Sequence, residues 1–316
     1  MKGEFYFSCD KVYYDDLEEL RKRQCKNDEL RLCELSFIAA DAARLSRTLL
    51  EEGLSPYEIL AAIGSIDCID EAPSTDALGK SLNYIDALSS LCRAADKAIL
   101  SQLYVQRCKE QGVTVSSRDF FGDGEPEQTF TYVKNPLSDE AFDVFSEDFS
   151  DPRVFYASSF SEACLSVAEG RVGYCILPLE EKGGTRISTI FDMIYKHQLK
   201  IAAVTPVFGF EGNADVKYAL VCQSVRVPRL IEGDDGYIEL LVGDGDGEDL
   251  TDMLVAARVL ELSLYKVTPV LAAEGEGKRL YSVILRDPGQ DLSALLVLLT
   301  LFYRDTDVFG IYKNLE

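Results

Sequence analysis

The chain has 316 residues, of which 54 are acidic and 32 are Lys or Arg, so its formal net charge is -22. Nucleic acids and anionic membranes are bound through Lys and Arg, so this charge argues against both as partners. With 47% hydrophobic residues the chain can bury cores, and its length predicts two or three domains. No apolar run reaches the length of a membrane span and no signal-peptide pattern is seen, which predicts a cytoplasmic protein.

Metal and cysteine chemistry have little support in this sequence. The nine cysteines are scattered and none forms CxxC, so a disulfide framework and a zinc site are not predicted. The single histidine, His197, excludes a multi-His metal site and stands at the polar end of a predicted helix. The acidic stretch Gly243–Asp249 lacks the glycine and glutamate positions of an EF-hand loop. We therefore expect no metal and no cofactor.

Residues 1–118 are predicted to be helical. The first helix runs from Asp15 to about Glu52, with apolar residues spaced near the 3.6-residue period. The segment Ser55–Glu58 marks a second helix start, because it combines an N-cap serine, a proline at the first helical position and a glutamate three residues on. A third helix runs from about Thr75 or Leu78 to Glu110, and Gly112 ends it. These helices predict a bundle or an intertwined dimer.

After an acidic linker, residues 126–228 alternate between strand and helix patterns. The predicted strands are 129–134, 153–157, 173–179, 200–207 and 216–223, and the predicted helices are 138–149, 159–170 and 185–198. Strands that are separated by helices predict a largely parallel sheet in a single α/β lobe.

The last part of the chain, 235–316, has a different order of elements. Strands are predicted at 237–242, 264–272, 279–286 and 308–313, and helices at 248–261 and 291–304. This βαββαβ order is that of a ferredoxin-like α+β sandwich. The predicted fold class is therefore multidomain: an all-α domain, an α/β lobe and a ferredoxin-like domain.

Residues 158–186 carry a resemblance to a known family. The segment Ser158–Glu181 reads SSFSEACLSVAEGRVGYCILPLEE and continues as KGGTR to Arg186. It resembles the core of the prephenate dehydratases, in which a helix opened by Ser-Phe leads into a strand that ends Pro-Ile-Glu-Asn. The βαββαβ tail resembles the ACT domain of that family, and LSLYKV at 262–267 is similar to its Ile-Asn-Leu-Thr-Lys-Ile. The helical part completes the order of the bifunctional chorismate mutase–prephenate dehydratases, and LEELR at 17–21 resembles the start of the mutase helix.

This resemblance implies a role in phenylalanine biosynthesis and a set of catalytic candidates. For the mutase reaction the candidate is Arg21, with Arg44 and Arg47 as possible replacements for an arginine that the family has elsewhere. For the dehydratase reaction the candidates are Glu180 and Lys217. If the mutase reaction is not catalysed, the same arginines are expected to form surface ion pairs.

The sequence also departs from the dehydratase pattern. Where the family has Thr-Arg-Phe, this chain has Val216-Lys217-Tyr218, and valine has no proton to donate. Glu181 replaces the family's asparagine. Only residues 208–215 stand where the family inserts a second lobe, so no interdomain cleft is expected. The phenylalanine-binding motifs of the ACT domain are also missing.

Four residues of the segment 158–186 are candidates for ligand binding. Ser158, Ser159 and Thr185 precede or begin predicted helices, where hydroxyl and free N–H groups can bind a carboxylate. Lys182 and the two glycines after it would let the backbone approach a ligand. Helix capping is the alternative explanation for the three hydroxyl residues.

Two functional hypotheses follow from the sequence. The first is a divergent protein of the mutase–dehydratase type that has lost dehydratase activity and keeps anion or small-molecule binding. The alternative is an active chorismate mutase or prephenate dehydratase with relocated catalytic groups. In both cases the expected partner is a small carboxylate, such as chorismate, prephenate or an amino acid, and the resemblance implies a homodimer.

Overall fold

The computed structural model describes residues 4–64, 93–121, 124–208, 216–228, 236–243, 250–270, 280–287, 292–303 and 305–315. The helices in these ranges are α1 (Glu4–Glu51), α2 (Pro56–Gly64), α3 (Ala94–Glu110), α4 (Ser117–Phe121), α5 (Pro136–Ser146), α6 (Phe160–Ala168), α7 (Ser188–Lys196), α8 (Leu250–Val259) and α9 (Ser293–Phe302). The strands are β1 (Thr129–Tyr132), β2 (Arg153–Tyr156), β3 (Tyr174–Glu180), β4 (Lys200–Val207), β5 (Val216–Cys222), β6 (Gly236–Gly243), β7 (Ser263–Val270), β8 (Leu280–Asp287) and β9 (Asp307–Lys313). Among the described helices, no segment combines the length and the hydrophobicity that a membrane span requires.

The first helices pack through small residues. Ala39 and Ala43 of α1 are fully buried against Leu100 of α3, and the Ser46 and Tyr104 hydroxyls are 2.7 Å apart. Small side chains allow the two helix axes to approach closely. The same core includes residues of α9, so the helical part is packed against the tail of the chain. The first half of the predicted third helix lies outside the described residues.

The predicted helix boundaries follow from local capping. Ser55 and Glu58 form the predicted capping box at the start of α2, since the Ser55 amide donates to Glu58 at 2.8 Å and the Glu58 amide donates to the Ser55 hydroxyl. Gly112 adopts a φ of +76° just after α3, the left-handed conformation that ends a helix. Gly170 ends α6 in the same way, with a φ of +69°.

A nine-stranded sheet runs through the described part of the chain in the order β2-β1-β3-β5-β4-β9-β6-β8-β7. The prediction of a largely parallel lobe is wrong for its second half. Strands β1, β2 and β3 are parallel, whereas β5 is antiparallel to both β3 and β4. The reason is the short connection 208–215, because a return of this length joins antiparallel neighbours and has no room for a crossover helix.

The last four strands pair in the order β9-β6-β8-β7, and all of these pairings are antiparallel. With α8 and α9 they form a βαββαβ unit, as the sequence pattern predicts. This unit continues the sheet of the lobe, because β9 pairs in parallel with β4 at Gly310 and Ile201. A Cβ atom on Gly310 would lie 2.6 Å from the Ile201 carbonyl oxygen, so this junction requires glycine.

The hydrophobic core also crosses from the lobe into the tail. Phe191 of α7 packs on Phe309 of β9 with ring centroids 4.9 Å apart, and both side chains are buried. Tyr237 and Tyr312 of the tail belong to the same core. The lobe and the tail therefore share one core beneath the predicted ligand loop.

Candidate functional site

The candidate site lies at the end of β3, where Glu180 meets two lysines. Glu180 pairs with Lys217 across the β3–β5 ladder, and the Lys217 Nζ lies 3.7 Å from Glu180 Oε2. Lys266 reaches over from β7 and donates to Glu180 Oε1 at 2.6 Å. Glu180 is buried, whereas each lysine side chain is 29% exposed. We call these three residues the Glu180 cluster.

The loop 181–187 folds back beside this cluster. Gly183 and Gly184 have φ values of +90° and +78°, a conformation that favours glycine. The Glu181 amide donates to the Thr185 carbonyl at 2.8 Å, which closes the turn and places Arg186 opposite Glu180. Lys266 also donates to the Gly184 carbonyl at 2.7 Å. The loop is thus tied to the tail of the chain through one lysine.

Arg186 enters the interior between the lobe and the tail. Its guanidinium donates to both carboxylate oxygens of Glu239, with Nη2 2.9 Å from Oε2. The Ser282 and Tyr312 hydroxyls also donate to Glu239, at 2.7 and 3.1 Å. Every oxygen of this buried carboxylate therefore has partners, as a charge in a protein interior requires.

Two opposing effects set the pKa of Glu239. Burial by itself raises the pKa of this carboxyl, but the charge of Arg186 and the hydrogen bonds from Arg186, Ser282 and Tyr312 outweigh burial, so the pKa lies below its ordinary value of 4.5. Burial raises the pKa of Tyr312, and the neighbouring Glu239 carboxylate raises it further. Glu239 is consequently ionised and Tyr312 is a hydrogen-bond donor at neutral pH.

The enclosed space at this site is small. A cavity of about 20 Å³ is lined by Glu180, Arg186, Lys217 and Tyr312, among others. That volume corresponds to one water-sized probe and does not hold a molecule the size of prephenate. A ligand of that size would have to bind on the outer side of the cluster, where Lys217 and Lys266 are partly exposed.

The predicted loop residues have different surroundings. Ser159 caps α6, since its hydroxyl accepts from the Glu162 amide at 3.2 Å. The Ser158 amide and hydroxyl donate to the Glu162 carboxylate at 2.7 and 2.5 Å. The capping explanation thus accounts for both serines, and a ligand role for them stays a prediction. Lys182 and Thr185 are exposed on the loop beside the Glu180 cluster.

The three predicted mutase arginines all lie on α1 and are exposed. Arg44 pairs with Asp41, and Arg47 donates to Glu51 at 3.2 Å, which are the surface pairs that the sequence offered as the alternative. At a rise of 1.5 Å per residue, Arg21 and Arg44 are about 35 Å apart along the helix axis. One chain does not bring Arg21 together with the other two, so their catalytic role stays a prediction.

The sequence analysis missed three residues of the site. Glu239 stands in the apolar strand YIELLV, and an isolated acid in a buried strand signals a buried partner. Arg186 was noted only as the end of the family motif, and the charge of Glu239 indicates its role. Lys266 belongs to LSLYKV at 262–267, which was noted only for its similarity to the ACT domain, and nothing in that stretch indicates Glu180 as its partner. Within the described ranges, no three His, Cys, Asp or Glu side chains come together as a metal site.

Comparison with known proteins gives similarities to solved structures alone. No protein-family model and no curated protein matches the chain. The prephenate dehydratase from Streptococcus mutans is 14% identical with a TM-score of 0.48, over 60% of this chain and 99% of that one. The prephenate dehydratase from Arthrobacter aurescens in complex with L-Phe is 12% identical with a TM-score of 0.43, over 58% and 89% of the two chains. A structure described as GqqA, a novel type of quorum quenching acylase, is 13% identical with a TM-score of 0.44, over 59% and 95%. No activity is transferred to this chain from these similarities.

Proposed function

We propose that this chain is a divergent protein of the chorismate mutase–prephenate dehydratase type, which binds a small carboxylate of aromatic amino-acid metabolism and does not dehydrate prephenate. The motif at 158–186 supports the dehydratase resemblance. The βαββαβ order of the tail, with strands paired β9-β6-β8-β7, supports the ACT-like assignment. The homodimer and the mutase-like role of the helices remain predictions from the resemblance.

The first residues of β5 indicate that dehydratase activity is lost. Removal of the prephenate hydroxyl needs a proton donor inside a site that excludes water. Val216 stands where the resemblance places a threonine, and a valine side chain has no proton to donate. Strands β4 and β5 pair from Val207 and Val216 onward, with only residues 208–215 between them. A second lobe that could enclose the substrate does not fit in this connection.

The charges of the Glu180 cluster favour the binding of a carboxylate. Two ammonium groups face one carboxylate, which leaves one net positive charge on a strongly acidic chain. Lys266 is hydrogen-bonded to Glu180, whereas the 3.7 Å separation from Lys217 is an ion pair without a hydrogen bond. Lys217 therefore keeps donors for an external carboxylate. This partly exposed lysine is the single observation that carries the proposal.

The test is a titration of the full chain with chorismate, prephenate, phenylpyruvate and phenylalanine, in which the heat of binding is measured by calorimetry. We expect at least one of these compounds to bind, and Lys217→Met to weaken that binding at least tenfold. Lys313→Met is a matched control, because the Lys313 Nζ also lies 3.7 Å from a single carboxylate, Asp148, and its side chain is 25% exposed. The control is expected to bind like the wild type.

The same preparations test for catalysis. We expect phenylpyruvate to form from prephenate at the spontaneous rate only. A faster rate that is lost in Glu180→Gln would show an active dehydratase with Glu180 as a relocated acid, and would overturn the non-catalytic proposal. Equal binding by the Lys217→Met and Lys313→Met variants would overturn the assignment of the binding site.

A further inference from the structure

A cavity of about 600 Å³ lies beside the first residues of β4 and β9, at the opposite end of these strands from the Glu180 cluster. Lys200 lines this cavity from the start of β4. Lys217, which belongs to the Glu180 cluster, pairs with Pro206 near the end of β4. The walls come from α2 and α4, from the residues that follow β5, and from α9 and β9. The cavity is therefore separate from the proposed carboxylate site and lies where the three predicted parts of the chain meet.

Most of the cavity wall is apolar and partly aromatic. The apolar and aromatic lining residues include Phe120, Phe121, Leu296, Leu299, Tyr303 and Val308. Tyr57 also lines the cavity, and its ring contacts Phe120 edge-to-face with centroids 6.0 Å apart. Ligand sites of about 300–1,000 Å³ with this kind of lining hold small molecules, and they occur preferentially where domains meet. The wall is suited to a ring-sized apolar body.

The two charged residues of the wall, Lys200 and Asp307, favour an uncharged ligand. Lys200 Nζ lies 2.6 Å from both carboxylate oxygens of Asp307, so the two charges neutralise each other. An ammonium group has three N–H donors, and two of them point to Asp307, which leaves one donor on Lys200. The Lys200 side chain is 14% exposed and lines the cavity. That remaining donor can hydrogen-bond an acceptor atom of a ligand.

We propose that this cavity is a binding site for a small uncharged molecule that has a ring-sized apolar body and one hydrogen-bond acceptor, such as a carbonyl oxygen. The body packs between the aromatic residues of α4 and the apolar face of α9. The acceptor atom accepts a hydrogen bond from the remaining N–H of Lys200. Since the ligand contacts α4, β4 and α9 together, its binding stabilises the packing of the helices on the sheet.

The experiment uses the full chain and two probes of similar size, acetophenone, which has a carbonyl acceptor, and toluene, which has none. Binding is followed by ligand-observed NMR titration. We expect acetophenone to bind with a dissociation constant on the order of 1 mM, as is usual for a ligand of this size. Lys200→Met should weaken acetophenone at least fivefold and leave toluene within twofold. Failure of acetophenone to bind at several times that concentration would overturn the proposal.

A second variant separates a lost hydrogen bond from a lost fold. Ser224 lines the cavity and is partly exposed, so Ser224→Phe fills the space without opening the core. We expect this variant to melt like the wild type and to bind neither probe. Lys313→Met, at the far end of β9 from the cavity, should bind both probes normally. Unchanged acetophenone binding in both Lys200→Met and Ser224→Phe would overturn the assignment to this cavity.

Discussion

Arg186, in the loop after β3, and Glu239, in the middle of β6, form a buried bidentate ion pair between the lobe and the tail. Their side chains are 6% and 0% exposed. A buried ion pair costs desolvation energy to form, but the loss of one partner leaves a charge without compensation. The pair therefore makes the fold of the loop 181–187 depend on the tail of the chain.

The first prediction concerns the removal of one charge from this pair. We expect Glu239→Gln to lower the free energy of unfolding by about 3 kcal/mol, because Arg186 is then buried without a counter-charge. Urea denaturation followed by circular dichroism measures the change. The double variant Arg186→Met, Glu239→Leu should recover most of the loss, since it removes both buried charges.

The control for this prediction is an ion pair between an arginine and a carboxylate on the surface. Arg44 and Asp41 lie on α1 with side chains 68% and 61% exposed. Asp41→Asn should change the free energy of unfolding by less than about 0.5 kcal/mol. If Glu239→Gln is as stable as Asp41→Asn, the buried pair does not contribute as argued.

The second prediction concerns acid denaturation. The pKa of Glu239 is lowered in the folded chain from its ordinary value of 4.5, so its contribution to stability is complete above that pH and is lost as the pH falls through the folded pKa. The pKa of Arg186 is raised: burial opposes its charge, but Glu239 outweighs burial, so Arg186 stays charged throughout. We expect the wild type to lose more stability than Glu239→Gln between pH 5 and the acid limit of folding. Parallel curves of unfolding free energy against pH would contradict this role for Glu239.

The third prediction concerns the junction of β4 with β9. Gly310→Ala would place a Cβ 2.6 Å from the Ile201 carbonyl oxygen and 2.9 Å from the Ile201 Cβ, so the strands must separate. We expect a loss of about 1–3 kcal/mol in the free energy of unfolding, the usual cost of overpacking. Gly124→Ala is the matched control, because open space surrounds that position. Equal stability of the two variants would mean that the junction tolerates a methyl group.

Local signals made most of the elements predictable from the sequence. The capping box at Ser55–Glu58 and the left-handed Gly112 are set by neighbours in the chain, so a pattern of four or five residues was sufficient. The direction of β5 was predictable in principle from the short connection 208–215, but the alternation of strands and helices suggested a parallel sheet. The pairing of Ile201 with Gly310 depends on contacts across more than one hundred residues, which periodicity does not encode.

The site was predictable only in part, for the same physical reason. Glu180 and Lys217 were each chosen from the family motif, and the β3–β5 register brings them together. Lys266 is distant in the chain, and it contacts both Glu180 and the Gly184 carbonyl because the tail packs beside the end of β3. Contacts of this kind are set by the tertiary fold.

The last prediction concerns the reactivity of the cysteines. Cys25 and Cys33 are exposed, whereas Cys108 and Cys222 are buried, and burial raises the pKa of each buried thiol to about 11. Since the thiolate is the reactive form, the two buried thiols are both inaccessible and protonated at neutral pH. We expect iodoacetamide to label Cys25 and Cys33 in the native chain, and Cys108 and Cys222 only after unfolding in urea. Peptide mass mapping after a timed pulse measures each site, and labelling of Cys222 at the rate of Cys25 in the native chain would show that the packing around β5 opens readily.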